Sequence, residues 1–124
     1  MTIADRIGRF QSRAQRGQLP TGFVALVNGA VVGLACLVAC DLDSHRHLTP
    51  WLASVLVEPP YRHQGIGAAL SQRTVEEARS LGFTRVYLFT LDQIPFYSRL
   101  GWSLLESARF RDHPVTVMER AILE

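Results

Sequence analysis

Lysine is missing from this chain: all 13 basic residues are arginine. That excludes a Schiff-base lysine, a pyridoxal anchor and the lysine of a P-loop. Cysteine is nearly missing too, with Cys36 and Cys40 four residues apart in an apolar run. A single pair with no matching His or Cys cluster does not make a zinc site, and the spacing expected of one strand face makes both buried free thiols. Charge is sparse, 19% of residues with a net of +2, so no basic field of the kind that holds nucleic acid is expected. No apolar run approaches the roughly 18 residues of a membrane span, and Met1 opens a polar, Arg-bearing segment without a signal-peptide core. A cytoplasmic protein with no membrane partner is expected.

What is present suits one folded domain over residues 1–124, since 48% hydrophobic content in a chain of this length can bury a core without staples. Ile3, Ile7, Phe10 and Ala14 recur at helical spacing behind a Thr2/Asp5 capping box, which predicts an amphipathic helix ending at Gly17. Its Arg6, Arg9, Arg13 and Arg16 stripe reads as a solvated face. Phe23–Val27, Asn28-Gly29 and Ala30–Cys40 read as a β-hairpin, because Asn-Gly supplies the positive φ angles of a type I′ turn. A strand from Leu48 to Glu58 is stopped by Pro59-Pro60, and a helix from Gly65 to Leu81 is closed by Gly82. Arg85–Thr90 should return parallel to the preceding strand by a right-handed crossover. Asp92 is placed to cap a short helix to Leu100, ahead of strands Trp102–Arg109 and Val115–Ile122. The order predicts a mixed α+β sheet with helices against it.

Chemistry concentrates between Val55 and Ala68, where a strand joins a helix through a turn containing Gly65 and Gly67. A helix N-terminus presents unpaired N–H groups and a positive dipole, so it can hold a phosphate by main chain alone. Arg62 or His63 could add a charged contact. A dinucleotide fingerprint would need a small residue where Leu70 stands and an acid after the second strand, and neither is present. A pyrophosphate-bearing ligand other than a dinucleotide fits better.

Two motifs then stand together: Arg62-x-x-Gly65-x-Gly67, and Phe96-Tyr97-x-x-Leu100-Gly101-Trp102. Jointly they resemble the GNAT superfamily of N-acetyltransferases, over about Thr21 to the C-terminus. The resemblance implies an α/β fold with a splayed, mostly antiparallel sheet, helices packed on both faces, and acetyl-CoA entering between the strand ending at Glu58 and the strand Arg85–Thr90. It implies that the backbone of Val55, Leu56 and Val57 pairs with the pantetheine amides, and that Arg62, His63, Gln64, Gly65, Ile66, Gly67 and Ala68 wrap the pyrophosphate. Tyr97 matches the family tyrosine that protonates the departing thiolate; a packing aromatic is the competing reading. The strand position at which some relatives carry a catalytic Glu is Trp51 here. Asp41 and Asp43 are therefore the candidate contacts to a cationic amine acceptor, with either as base, against the alternative of a solvated turn.

The implied activity is acetyl transfer to an amine by direct attack, without metal or covalent enzyme intermediate. The alternative is a non-catalytic acyl-CoA-binding or protein-interaction module. The family's usual first strand and helix are expected to be missing, which leaves Phe23–Val27 as an unpaired edge and favours a homodimer through that edge or a C-terminal strand.

Overall fold

The computed structural model describes residues 7–10 and 19–122. Its strands, in chain order, are β1 (Ile7–Phe10), β2 (Thr21–Val27), β3 (Ala30–Val38), β4 (Trp51–Val57), β5 (Arg85–Thr90), β6 (Ser103–Phe110) and β7 (His113–Ala121). The helices are α1 (Ile66–Ser80), between β4 and β5, and α2 (Ile94–Arg99), between β5 and β6. The described strands form a single sheet ordered β1-β2-β3-β4-β5-β7-β6. Only the β4–β5 pair is parallel, as expected of strands joined through α1.

The β2–β3 hairpin turns on Asn28 (φ 52°) and Gly29 (φ 82°), the two left-handed residues that a type I′ turn needs. The N-terminal expectation is overturned at residues 7–10. Ile7–Phe10 is a strand, antiparallel to β2, with Ile7 opposite Ala25 and Phe10 opposite Gly22. Gly8 weakens a helix there by about 1 kcal/mol, and the open donors and acceptors of β2 offer a ladder that helical periodicity does not predict. The rest of the expected helix, including Thr2, Asp5, Ala14 and Gly17, lies outside the described residues. Consequently β2 is not the open edge; β1 covers it.

Helix α1 lies across β2, β3, β4 and β5. Ile66, Leu70, Val75 and Ala78 are buried against Phe23, Leu37, Leu52 and Val86 in the main core. Its buried hydroxyls are satisfied along the helix, Ser71 donating to Gly67 O (2.8 Å) and Thr74 to Leu70 O (2.8 Å). The C-terminus closes in a Schellman arrangement: Phe83 N–H reaches Ala78 O (3.1 Å), with Gly82 at φ 92° between them. Gly33 on β3 allows this close seating, since a Cβ there would meet Leu56 O at 3.0 Å and Leu70 Cδ1 at 3.1 Å.

A second, smaller cluster gathers Leu42, Trp51 and Val117 with Tyr87, Phe89 and Phe110. The segment between β3 and β4 closes over it. His45 in that segment is buried and edge-on to Trp51, and its Nε2–H donates to the Glu106 carboxylate of β6, which leaves Nδ1 to accept from Ser44 Oγ (2.7 Å). Trp51 Nε1–H donates to Leu48 O at 2.7 Å. The segment is thus tied to the sheet at two points, His45 and Leu48.

Candidate active site

The cleft originates in a bulge. Cys36 faces Ala53 and Leu34 faces Leu56, so the single residue Ala35 stands opposite both Ser54 and Val55. Ser54 takes up the extra length at φ 58°, a conformation costly for a residue with a Cβ. On the other side, β4 meets β5 in register only at Trp51 and Tyr87. Beyond that pair the two strands part, and Val55, Leu56 and Val57 face open space instead of a neighbouring strand.

Two cavities occupy the gap. One, of about 550 Å³, is bounded by Val55–Val57, by Tyr61–His63, by Gly65–Ala68 at the start of α1, and by Gln93, Phe96 and Tyr97. The other, of about 400 Å³, is bounded by Asp41, Ser54, Thr90, Gln93, Tyr97 and neighbouring parts of β4 and β5. Val55, Gln93 and Tyr97 border both, so a molecule in each would meet at Tyr97.

The turn into α1 is built from short local bonds. Pro59–Tyr61 form a 3-10 turn, Arg62 Nε donates to Val57 O (3.0 Å), and Gln64 Nε2 donates to Pro60 O (3.3 Å). Arg62 therefore braces the end of β4 while its remaining guanidinium N–H groups stay available. His63 (φ 63°) and Gly65 (φ 87°) are left-handed, which curls the chain so that α1 begins at Ile66 without a side-chain cap. The first donor of the helical ladder is Ala69, to Gly65 O (3.0 Å). The N–H groups of Ile66, Gly67 and Ala68 precede it and form the unpaired positive end of a 15-residue helix. At Gly67 a Cβ would stand 3.5 Å from Phe96 Cζ and 3.8 Å from Val57 Cγ2, so the cleft is narrow at its floor.

Tyr97 projects from α2. Thr90 Oγ1, not Asp92, accepts the Gln93 N–H at 2.9 Å, and Gln93 occupies the N-cap position without a side-chain cap bond. The expected cap is corrected on this point: the Thr90 hydroxyl at the end of β5 meets the backbone first. The Tyr97 ring is edge-on to Phe96 and Trp102, and burial pushes its phenol above the ordinary tyrosine range. Among the described residues its hydroxyl has no hydrogen-bond partner, which leaves it available to a molecule in the cleft.

The two candidate aspartates separate. Asp41 is half-buried on the second cavity with Tyr97, and desolvation raises its carboxyl above the usual range. Asp43 is exposed, begins the 3-10 turn Asp43–His45, accepts from Arg46 (2.8 Å), and does not border that cavity. Cys36 is held protonated by burial and by the Asp41 charge, and Cys40 Sγ donates to Leu42 O (3.3 Å). Of the expected phosphate-turn residues, Arg62, His63, Gly65, Ile66, Gly67 and Ala68 border the first cavity, while the Gln64 amide turns back to Pro60. Sequence reading missed Ser54 and Gln93. A bulged serine carries no compositional signal, whereas Gln93 lies three residues before the quoted aromatic motif.

The family model of the Acetyltransferase (GNAT) family matches residues 4–102. The chain belongs to the GNAT acetyltransferase family. An uncharacterised N-acetyltransferase of Methanocaldococcus jannaschii is 34% identical over 88 residues, 64% of this chain and 38% of that protein. The chain thus matches well under half the length of that relative. Among solved structures, an IAA acetyltransferase from Bacillus cereus superposes with TM-score 0.72 at 16% identity, covering 94% of this chain and 98% of the other. A GNAT acetyltransferase from Elizabethkingia anophelis, solved with acetyl-CoA bound, gives TM-score 0.71 at 12% identity, covering 94% and 97%. At these identities the structural likeness establishes the GNAT fold.

Proposed function

We propose that this chain transfers the acetyl group of acetyl-CoA to a primary amine by direct attack within a ternary complex. The meeting of two cavities at the Tyr97 phenol carries the reading. Acetyl-CoA is the cosubstrate: Val55–Val57 offer the strand edge that β5 leaves open to its pantetheine arm, and the N–H groups of Ile66, Gly67 and Ala68 hold its pyrophosphate, with Arg62 and His63 beside them. The solved GNAT relative with acetyl-CoA bound supports this choice of cosubstrate.

The amine occupies the second cavity, and its nitrogen lone pair forms the new C–N bond as the C–S bond of the thioester breaks. Tyr97 gives its proton to the departing sulfur and regains one from the second proton that the nitrogen sheds as the amide forms, a role suited to a phenol that burial keeps protonated. Asp41 draws in the ammonium form and accepts its proton, directly or through water; a carboxyl raised toward neutrality is a better base than an ordinary one. Cys36 takes no part, since a protonated thiol is a poor nucleophile. Asp43 is spent on Arg46 and has no contact with the amine.

The chain also associates as a homodimer through β6, an edge strand of the sheet among the described residues, where Leu104 and Leu105 remain 63% and 36% exposed. Light scattering of Leu104→Glu checks this, with a loss of dimer expected. For the transferase reading, thermal unfolding with acetyl-CoA, coenzyme A and adenosine diphosphate is the first experiment, repeated on Gly65→Glu. Stabilisation by acetyl-CoA that the variant loses, followed by amine-dependent thiol release, is the expected result. Binding without turnover on any amine would leave a non-catalytic acyl-CoA-binding module.

A further inference from the structure

A third cavity, of about 600 Å³, lies between the segment after β3 and the tip of the β6–β7 hairpin. It shares Asp41 and Phe110 with the amine cavity, so one groove runs from Tyr97 past Asp41 to the hairpin tip. Three arginines line its far end: Arg46, Arg109 and Arg111. Arg46 is neutralised by Asp43 at 2.8 Å. Arg109 has only a neutral partner, donating through Nη2 to Asp112 O at 2.7 Å. Arg111 lies 5.0 Å over the Phe110 ring. Among the described residues neither Arg109 nor Arg111 has a carboxylate partner.

Both walls of this cavity are braced. The hairpin turns tightly on Arg111 (φ 49°) and Asp112 (φ 65°), which fixes where the two arginines leave the sheet. The opposite wall is held to β6 by the buried His45 and its bond to Glu106. Leu105 is the extra residue of a β6 bulge, with Leu104 opposite Met118 and Glu106 opposite Val117, which sets Glu106 on the face where His45 lies. The backbone positions from which Asp41, Arg109 and Arg111 project into the groove are therefore set by the fold.

Resting on the transferase reading above, we propose that the acceptor is a dipolar amine: its nitrogen sits between Asp41 and Tyr97, and a carboxylate a short distance beyond docks against Arg109 and Arg111. Amino acids and peptides with an acidic residue near their free amine have this chemistry. Polyamines and aminoglycosides do not, since they would set a second cation against two guanidiniums that have no counterion. A bidentate guanidinium–carboxylate contact gives both affinity and register along the groove.

The test compares kcat/KM for a tetrapeptide with glutamates at its second and third positions, its glutamine counterpart, free glutamate and spermidine. The wild type and the Arg109→Gln/Arg111→Gln double variant are assayed at two ionic strengths. The expected result is at least a tenfold preference for the glutamate peptide over its glutamine counterpart, shrinking with salt and falling to near one in the double variant. Free glutamate matching the peptide assigns the small amino acid as the source; peptide alone assigns a polypeptide terminus. A preference for spermidine or the glutamine peptide, or a preference that survives in the double variant, overturns the proposal while leaving acetyl transfer standing. No acetylation of any amine by a chain that binds acetyl-CoA overturns the transferase reading, and this proposal with it.

Discussion

Gly67 offers the sharpest test of where acetyl-CoA lies. A methyl at that position meets Phe96 at 3.5 Å and Val57 at 3.8 Å, ordinary van der Waals distances, so Gly67→Ala fits without displacing either neighbour. In the first turn of a helix that change also removes glycine's backbone entropy cost, and it should raise stability by up to about 1 kcal/mol. A phenyl ring has no such room: Gly67→Phe must project into the cleft, across the path between Val57 and the unpaired N–H groups of α1. The position is half-exposed and its φ is ordinary, so the fold survives. In a thermal-shift titration at about one hundred times the dissociation constant, acetyl-CoA should add roughly 2.7 kcal/mol, on the order of 10 °C for a chain of this size, to wild type and Gly67→Ala. Gly67→Phe should unfold near the unliganded temperature with or without acetyl-CoA. Equal stabilisation of Gly67→Phe would refute the placement, because no ligand could then occupy the narrow floor.

Tyr97→Phe should lower kcat by roughly a hundredfold with little change in the acetyl-CoA thermal shift, which separates a proton donor from a packing ring. Asp41→Asn should raise the acceptor KM and remove the acid limb of the kcat/KM profile, which in the wild type falls as pH drops through the raised carboxyl pKa. A carboxyl whose folded pKa is raised destabilises the fold above that pKa, so Asp41→Asn should also unfold at a higher temperature than wild type at pH 7 and lose that advantage in acid. Gly33→Ala should destabilise by about 1–3 kcal/mol in denaturant unfolding, since its Cβ would press on the Leu56 carbonyl, which is backbone and cannot swing aside.

Local chemistry was the legible part of this sequence. Asn28-Gly29 specifies its turn by the φ angles it tolerates, Pro59-Pro60 ends β4 by withholding donors, and Gly65 with Gly82 brackets α1. Each acts within a few residues of where it stands. The features that escaped reading depend on partners far along the chain. Ile7–Phe10 has helical spacing on both sides of it and becomes a strand only because β2 presents a free edge. Ser54 opens the cleft through a mismatch between β3 and β4 that neither strand shows alone. Asp41 and Asp43 look equivalent as letters, and the 3-10 turn that begins at Asp43 sends one into the cleft and the other to Arg46. His45 and Glu106 meet across 61 residues, a pairing that local patterning has no means to signal.

A crystal structure of the chain with acetyl-CoA would show whether the thioester and the amine meet at Tyr97. The pyrophosphate should lie on the N–H groups of Ile66, Gly67 and Ala68, the pantetheine arm alongside Val55–Val57, and the thioester sulfur within hydrogen-bond reach of the Tyr97 hydroxyl. Acetyl-CoA seated with its thioester away from Tyr97, or outside the gap between β4 and β5, would contradict this placement.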